Sequence, residues 1–488
     1  MEPDIADLAW RGVLDANPWW STGRVPPQRS SSFRRHAFPV LLAALRSTDE
    51  GRGIVVLGPR RVGKTVMLHQ LVEQLLADGA APDDVCLLSL DDVALRDRDL
   101  GELLALLEAR RPRRPGVKRI LLLDEVQHLR DWAGWLKRLA DRRDPYVFLA
   151  TGSSATALRR GGTDAGVGRW REMTILPWSF REHVELRALP VWSFEAYDAI
   201  FAATDQGASP IDAARAALAR LGSPPPGETE RLDASLADYF VRGGFPEVAQ
   251  VPDLAEARRR LRQDILDRAL GRDVLDVMSV EPRALDRMFL RICLAPGGLW
   301  NDAEVSRDLG LARPTVAKYL QILEQAFLVF RLDNLASPVK GRSKVYLVAP
   351  ALRPALLGLD EIAVRQPEEW GRLTENTVAM TAVGSRPSAT QIGFWRKGND
   401  ECDVVVVELP DRAEYLEIKR SGDGASRGIA RAAAALGLAG SGVVLSRDWR
   451  MDLFPNPPAP LRGIARQSAA AWLYQQRAAA GGTLRIAV

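Results

Sequence analysis

The octapeptide GPRRVGKT, residues 58–65, constrains this chain more than any other segment. It matches G-x-x-x-x-G-K-[ST], a loop whose backbone N–H groups surround the phosphates of a nucleotide. The apolar run at 53–57 predicts a buried strand before the loop, and residues 66–76 predict an amphipathic helix after it. This order turns the positive end of the helix dipole toward a bound anion. The segment therefore predicts a phosphate-binding loop in an α/β domain.

The whole loop and the start of the helix are candidates for binding ATP. Lys64 supplies a positive charge for the β- and γ-phosphates, and Thr65 supplies a hydroxyl group for Mg²⁺. The glycines allow the backbone to approach phosphate oxygens in conformations that a Cβ atom would penalise. The predicted nucleotide-binding residues of this segment are Gly58, Pro59, Arg60, Arg61, Val62, Gly63, Lys64, Thr65 and Val66.

The composition predicts a globular protein with several domains. The chain has 488 residues, of which 47% are hydrophobic and 26% charged, and this length exceeds that of a single core. No apolar run reaches the length of a membrane span, so we expect no membrane partner. Three dispersed cysteines predict a reducing cytoplasm, and four histidines without clustering argue against zinc. The net charge of +4 does not by itself indicate nucleic acid.

Residues 31–185 alternate apolar strands with helical stretches, which predicts a mostly parallel sheet covered by helices. One of these strands delivers Asp124 and Glu125 to the edge of the sheet where ligands bind. Asp124 is the predicted Mg²⁺ ligand, and Glu125 is the predicted base that polarises the attacking water. Alternatively, the two acids merely begin a loop. The predicted strands are Ile54–Leu57, Val85–Leu90, Arg119–Leu123, Tyr146–Ala150 and Met173–Leu176.

Residues 281–345 predict a winged helix. A short helix at Asp302–Leu309, a tight turn and a longer helix at Arg313–Gln325 form a helix-turn-helix pattern, and the run Phe327–Leu332 suits the wing. The sequence leaves two roles open for the second helix: contact with DNA, or packing against protein. The exposed side chains suited to phosphates and base edges are Arg313, Thr315, Lys318 and Gln321.

Four residues farther along the chain form a second candidate site. A predicted strand begins near Asp403, and the i, i+2 spacing in the next strand puts Glu417 and Lys419 on one face. Asp403, Glu417 and Glu375, the last on a predicted helix, carry hard oxygen ligands for Mg²⁺. Lys419 would orient the attacking water and stabilise charge on a phosphate. This D…E-x-K constellation is typical of restriction-type nucleases, and an exposed salt-bridged strand is the alternative.

A series of segments follows in an order that resembles a known family. They are GPRRVGKT, LLSLDD (87–92), ILLLDEVQ (120–127), ATGSSA (150–155), GRWREMTILPWSFREH (168–183) and RGGFPE (242–247). The chain resembles the prokaryotic AAA-plus/STAND-related ATPases that carry a C-terminal restriction-endonuclease-like, or PD-(D/E)xK, domain. The resemblance implies ATP and Mg²⁺ as cofactors, DNA as a partner and a homo-oligomer. Rings of this superfamily are commonly hexameric, but the sequence establishes no number.

The resemblance also implies roles for individual residues. Ser153 follows the sensor strand and would detect the γ-phosphate, and Arg242 would do so from a helical lid. Arg169 and Arg171, in GRWRE, are candidates for an arginine finger within or between subunits. Pairing with a nearby acid is the alternative for these two arginines. Gln127 is a candidate for positioning the attacking water.

The predicted fold class is α/β: a P-loop ATPase domain with a helical lid, a winged-helix domain, and a C-terminal α/β restriction-endonuclease-like domain. Two functions are open. In the first, ATP hydrolysis controls a DNA-binding domain, and whether this domain also cleaves DNA is left open. In the second, a nucleotide-gated switch or scaffold binds a protein partner and the nuclease fold is vestigial. The predicted boundaries are an N-terminal element at 1–30, the ATPase core at 31–185, the lid and insertion at 186–280, the winged helix at 281–345 and the nuclease-like domain at 346–488.

Overall fold

The computed structural model describes most of the chain. The chain divides into two compact units. The first extends to Leu176 and the second begins at Pro177, apart from short later segments that group with the first. Part of the predicted lid and insertion, residues 188–226, lies outside the described residues, as do residues 477–488. The described ranges are 3–47, 53–141, 146–153, 169–187, 227–273, 280–336, 343–386, 390–408, 411–419, 427–447, 452–453 and 459–476.

A five-stranded parallel sheet forms the centre of the first unit, in the order β2–β3–β4–β1–β5. The central strand β1 is buried along its whole length, as is typical of a strand covered on both faces. The prediction of an α/β fold with a parallel sheet is confirmed. The strands are β1 Gly53–Leu57, β2 Val85–Ser89, β3 Arg119–Asp124, β4 Tyr146–Gly152 and β5 Trp170–Thr174.

Strand β5 begins earlier than the sequence pattern indicates. The prediction placed it at 173–176, whereas the paired residues are Trp170 to Thr174. The reason is that β5 lies at an edge of the sheet, and its first three residues are half-buried or exposed. A strand of this kind lacks the continuous apolar run that identifies a central strand.

The helices of the first unit flank the sheet strands in sequence. Several begin with recognisable signals: at Leu100–Arg110, the Asp99 carboxylate accepts hydrogen bonds from the first-turn N–H groups. The described helices are Pro3–Ala16, Trp19–Thr22, Phe38–Arg46, Lys64–Ala77, Leu100–Arg110 and Trp132–Asp141, with 3-10 turns at Pro27–Arg29, Pro82–Asp84 and Val126–His128.

The N-terminal element protects the edge strand β2. The amide of Asn17 donates to the carbonyl oxygen of Leu87 at 2.7 Å and accepts from the Leu87 N–H at 2.7 Å. The indole N–H groups of Trp19 and Trp20 both donate to the carbonyl oxygen of Val85, at 3.1 and 3.0 Å. An exposed strand edge is a template for unwanted pairing, and these side chains occupy it. The adjacent tryptophans therefore serve packing and edge protection.

A nine-stranded sheet forms the centre of the second unit, in the order β13–β14–β12–β11–β10–β9–β7–β8–β6. The predicted boundary between residues 345 and 346 lies inside β8, so the two predicted domains on either side of it share one sheet. The strands are β6 Leu299–Trp300, β7 Val329–Asn334, β8 Ser343–Leu347, β9 Gln391–Lys397, β10 Asp400–Glu408, β11 Arg412–Ile418, β12 Ala439–Ser446, β13 Asp452–Leu453 and β14 Leu461–Ser468.

The two parts of this sheet join where β7 runs parallel to β9. The Asn334 side chain strengthens the junction, because its amide donates to the Arg396 carbonyl at 3.0 Å and accepts from the Arg396 N–H at 3.1 Å. Beyond β9, strands β10 and β11 are antiparallel, and β12 returns parallel to β11. The helix Arg427–Leu436 supplies the crossover between β11 and β12 and buries Ile429 against them.

The segment 282–347 has the element order helix, strand, helix, helix, strand, strand. The helices Asp302–Leu309 and Arg313–Gln325 have the predicted bounds, and Gly310 ends the first in the left-handed conformation, with φ of +67°. Of the four side chains predicted for DNA contact, Arg313 and Lys318 are exposed, whereas Thr315 and Gln321 are half-buried.

Besides Asp302–Leu309 and Arg313–Gln325, the second unit contains further helices before, within and after the segment 282–347. No described helix is both long and apolar enough to cross a membrane. The helices are Phe180–Leu186, Glu228–Arg242, Pro246–Ala249, Leu254–Arg260, Pro282–Leu294, Leu352–Leu357, Glu361–Val364, Pro367–Gly384, Arg427–Leu436 and Ala469–Gln475, with π-helical turns at Leu261–Leu266 and Ala269–Asp273.

Candidate functional site

The loop after β1 has the backbone of an anion cradle. Arg61 and Gly63 take positive φ values of +61° and +95°, and the helix Lys64–Ala77 begins directly afterwards. A Cβ atom on Gly58 would lie 2.3 Å from the carbonyl oxygen of Ile175, so only glycine fits there. These conformations turn consecutive N–H groups toward one concave space at a helix N-terminus. The geometry suits a phosphate group.

Two cations hold the loop in shape. The buried Lys64 ammonium donates to the carbonyl oxygens of Gly58 and Pro59, at 2.9 and 2.8 Å. The buried Arg35 guanidinium donates to the carbonyl oxygens of Val62 at 3.0 Å and Leu176 at 2.9 Å. The local sequence around Arg35 does not decide whether it reaches the loop, because nothing in that pattern indicates a long-range contact. It braces the loop from the N-terminal side.

Asp124 connects the end of β3 to the loop and to β4. Its carboxylate accepts from the Thr65 hydroxyl at 2.6 Å and from the Thr151 hydroxyl at 2.5 Å. Burial and then the adjacent charge of Glu125 raise the pKa of Asp124 to about 6. The hydroxyl of Thr65 and the carboxylate of Asp124 are hard oxygen donors within contact of each other. They fit Mg²⁺ and would hold it beside the cradle.

Glu125 is held in a strained backbone conformation at the end of the same strand. Its φ and ψ are both 55°, in the left-handed region, and its N–H donates to the Thr151 hydroxyl oxygen at 3.0 Å. Burial acts to raise its pKa, but the charge of Lys64 and a hydrogen bond from Gln127 prevail, so the pKa is lowered. Glu125 is therefore ionised at neutral pH, as a general base must be. Strain of this kind is concentrated at functional sites.

Gln127 and Ser153 complete the site. The Gln127 amide nitrogen donates to Glu125 at 2.5 Å and to the Ser153 hydroxyl at 3.0 Å. The Gln127 carbonyl oxygen is buried and has no hydrogen-bond partner among the described residues. A water molecule would satisfy it. The structure thus brings the predicted residues Lys64, Thr65, Asp124, Glu125, Gln127 and Ser153 into one site, together with Thr151, which the sequence pattern did not reveal.

The predicted arginines make other contacts. Arg169 pairs with Asp141 at 2.8 Å, the alternative that sequence analysis left open, and Arg171 is exposed on β5. In the second unit, Arg242 is buried and forms ion pairs with Asp238 at 2.5 Å and Glu361 at 2.7 Å. The roles of these arginines toward a nucleotide stay predictions.

A second cluster of charged side chains lies on the nine-stranded sheet. The pairing of β9 with β10 shifts between Cys402 and Val405, which places a bulge at Asp403. Such bulges re-aim side chains. One oxygen of Asp403 accepts the Ile418 N–H at 2.8 Å, and the other lies 3.4 Å from the Lys344 ammonium. The sequence pattern did not reveal that Lys344, which follows the segment 337–342 outside the described residues, meets these acids.

Glu375, on the helix Pro367–Gly384, meets the same lysine. One of its oxygens accepts from Lys344 at 2.7 Å and from the Tyr346 hydroxyl at 2.9 Å. Burial, followed by the charge of Asp403, raises the pKa of Glu375 to about 7. Lys344 also pairs with Glu401. Burial acts to lower the pKa of Lys344, but the charges of the surrounding groups outweigh it, so this pKa is raised well above its usual value.

Glu417 and Lys419 form the other half of the cluster. Lys419 lies just beyond β11, and its ammonium is 2.5 Å from one oxygen of Glu417. The second oxygen of Glu417 is buried and makes no close hydrogen bond among the described residues, although the Ile429 N–H approaches the carboxylate. Burial raises the pKa of Glu417 above its usual range. The structure therefore brings the four predicted residues to neighbouring strands and one helix.

The carboxylates of this cluster do not form a ready metal site. Within the described parts of the chain, no group of three or more histidine, cysteine, aspartate or glutamate side chains is arranged to hold a metal ion. Lys344 contacts the oxygens of Glu375 and Asp403 that a cation would use. The arrangement does not fit the Mg²⁺ ion that the sequence predicted here.

Comparison with protein families gives two matches. Residues 50–184 match the family AAA_14, described as AAA domain. Residues 233–363 match a domain of unknown function, DUF8612. The first match covers the parallel sheet and every residue of the P-loop site except Arg35. Sheet, site and match together define an AAA-type P-loop domain in the first unit.

Similar chains extend beyond that domain. The chain is 25% identical over 344 residues to the uncharacterized protein MJ1637 of Methanocaldococcus jannaschii, covering 68% of this chain and 67% of that protein. It is 25% identical over 407 residues to the uncharacterized protein Rv2008c of Mycobacterium tuberculosis, covering 82% and 78%. The similarity therefore continues through both units, and the names of these relatives assign no activity.

Among solved structures, two archaeal proteins overlap with much of the chain. They are the ORC1 protein of Aeropyrum pernix in complex with DNA, with a TM-score of 0.29, and the ORC2 protein of the same organism in its ADP form, with a TM-score of 0.33. Each is 14% identical, and they cover 71% and 70% of this chain and 97% and 96% of their own. These TM-scores are too low to establish a common fold or function.

Proposed function

We propose that this protein is a Mg²⁺-dependent ATPase whose nucleotide state controls DNA binding by its second unit. The observation that carries the proposal is the convergence of Lys64, Thr65, Asp124 and Glu125 at one P-loop. A positive charge, a pair of hard oxygen donors and an ionised acid are the groups that hydrolysis of ATP requires.

The side chains of the P-loop site have separate roles. Lys64 leaves the carbonyl oxygens of Gly58 and Pro59 and pairs with the β- and γ-phosphates. Thr65 and Asp124 would hold Mg²⁺, and the ion would supply positive charge beside the phosphates. Glu125 accepts a proton from the attacking water, and Gln127 orients that water through its unpaired carbonyl oxygen. Ser153 fixes the position of Gln127.

The segment 282–347 supports the DNA part of the proposal. Its order of helices and strands is consistent with a winged helix, in which the second helix of the helix-turn-helix pair, here Arg313–Gln325, would enter a major groove. Arg313 and Lys318 lie exposed on that helix and would contact phosphates. We also propose a homo-oligomer, a hexamer being one arrangement, in which Arg169 or Arg171 acts as a finger.

The C-terminal part of the second unit supports a nuclease-like fold. After the helix that carries Glu375, the chain forms three antiparallel strands, a helix and a strand parallel to the third. Asp403 and Glu417 lie on the second and third of these strands, and Lys419 lies just beyond the third. In this proposal the region binds DNA without cleaving it, because Lys344 contacts the carboxylate oxygens that a catalytic cation would require.

The alternative is a nucleotide-gated scaffold whose second unit binds a protein. Its supporting observation is that two of the four proposed DNA-contacting side chains, Thr315 and Gln321, are half-buried. In that case ATP would control assembly without DNA, and exchange of the exposed cations would leave nucleic-acid affinity unchanged.

DNA binding is expected to depend on nucleotide state and on Arg313 and Lys318. Fluorescence anisotropy of labelled duplex and single-stranded DNA, at low salt and with ADP or ATP, measures it. Glu125→Gln keeps ATP in place during the titration. The double variant Arg313→Ala/Lys318→Ala is expected to bind DNA roughly tenfold more weakly. The slope of log affinity against log salt concentration should also become shallower by about two, since each phosphate contact contributes about one to that slope.

Arg259→Ala is the matched control, because Arg259 is an exposed arginine of the same unit that pairs with Glu256. It should bind DNA as the wild type does. Equal affinity in ADP and ATP, or no binding of either DNA at low salt, would refute the proposed control of DNA binding.

A further inference from the structure

Lys344 is a buried cation surrounded by acids. Only 4% of the residue is exposed. Its ammonium group lies 2.7 Å from Glu375 and 3.4 Å from Asp403, and it pairs with Glu401 as well. The three N–H donors of a lysine match three acceptors. A buried charge is tolerated only when it is paired and hydrogen-bonded, and this lysine meets that condition through carboxylates.

The oxygens that Lys344 occupies are those that a metal ion would need. The nearer oxygen of Glu375 is shared between Lys344 and Tyr346. One oxygen of Asp403 is committed to the Ile418 N–H, and the remaining one faces Lys344. A divalent cation bridging these two acids would therefore have to displace the ammonium group.

Glu417 has an acceptor oxygen that its ion pair does not use. One of its oxygens pairs with Lys419, whereas the other is buried and makes no close hydrogen bond among the described residues, although the Ile429 N–H approaches the carboxylate. An unsatisfied buried carboxylate oxygen costs free energy unless a cation, a water molecule or a donor reaches it.

We propose that Lys344 is an internal counter-ion that competes with a divalent cation for Glu375 and Asp403. The proposal rests on the proposed function, since it concerns the nuclease-like region of the second unit. With Lys344 in place, the acids are neutralised and the region binds DNA without metal. When Lys344 is replaced by an uncharged side chain, the same acids become free to accept a hard divalent ion.

Structural packing alone would predict a different response to substitution. If Lys344 only stabilises the fold, then removal of its charge leaves like charges facing each other and lowers stability, with or without metal. If it competes with a cation, a divalent ion restores the lost stability, because it replaces the ammonium. The two readings therefore separate by the effect of metal on the variant.

The test is Mn²⁺ binding to the full-length protein, measured by isothermal titration calorimetry without nucleotide. The Mg²⁺ site at the P-loop is disabled in every sample by Asp124→Asn, so that Mn²⁺ reports on the second unit. Lys344→Met is expected to bind Mn²⁺ at least tenfold more tightly than the parent. Lys344→Gln, which keeps donors but not charge, is the second variant in case the first does not fold. Lys397→Met, at an exposed position of β9, should match the parent.

Thermal unfolding with and without Mn²⁺ gives the second measurement. Mn²⁺ should raise the melting temperature of Lys344→Met more than that of the parent, and Asp403→Asn added to Lys344→Met should abolish both gains. Unchanged or weaker Mn²⁺ binding in both Lys344 variants would overturn the proposal, and so would a gain that survives Asp403→Asn. DNA binding, measured separately, decides the proposed function, so the two can fail independently.

Discussion

Replacement of Lys64 by alanine is expected to remove nucleotide binding. The Lys64 ammonium group is buried in the P-loop and donates hydrogen bonds to two of the loop's carbonyl oxygens. Loss of one partner from a buried charge pair costs about 2–5 kcal/mol, which corresponds to roughly 30-fold to several-thousand-fold weaker binding. Fluorescence titration with a labelled ATP analogue measures the change.

The control for this substitution is Lys137→Ala, an exposed lysine on the helix Trp132–Asp141 of the same unit. It should bind the analogue as the wild type does. Circular dichroism must show that Lys64→Ala is folded, because the loop also loses two hydrogen bonds to its carbonyl oxygens. A folded Lys64→Ala variant with wild-type affinity would show that the loop does not bind phosphate.

Glu125→Gln is expected to separate binding from hydrolysis. The substitution keeps the size of the side chain and removes its charge, so ATP affinity should stay within about threefold while kcat falls by roughly 10²–10⁴, the usual contribution of a general base. Steady-state phosphate release and ATP titration on the same preparation measure the two quantities.

Glu102→Gln provides the matched control, since Glu102 is exposed on the helix Leu100–Arg110. Its turnover should equal that of the wild type. If Glu125→Gln instead hydrolyses ATP at the wild-type rate, another group activates the water, and the strained conformation of Glu125 serves a structural purpose.

The P-loop site was largely predictable because its residues are local in sequence. A phosphate loop needs strand, glycine-rich turn and helix in succession, and residues 53–76 provide them in that order. Likewise, Asp124 and Glu125 lie at the end of an apolar run of the kind that suits a buried strand. Thr151 and Arg35 were not predictable, because a single hydroxyl and a single guanidinium carry no periodic signal and act through contacts distant in sequence.

The second unit was predictable in its elements but not in their assembly. Helical spacing fixed the bounds of Asp302–Leu309 and Arg313–Gln325. The junction of β7 with β9 was not foreseen, since strand pairing between distant segments depends on backbone contacts that no local pattern encodes. The position of Lys344 was not foreseen either. Only the fold brings it to Glu375 and Asp403.

ATP turnover with and without DNA tests the central claim most directly. Steady-state phosphate release by the wild-type protein is measured at low salt with Mg²⁺, first alone and then with duplex or single-stranded DNA, with Glu125→Gln as the background. The account predicts turnover that at least one form of DNA changes severalfold and that Glu125→Gln abolishes. Turnover that no DNA alters would contradict the proposed link between the ATPase and the second unit.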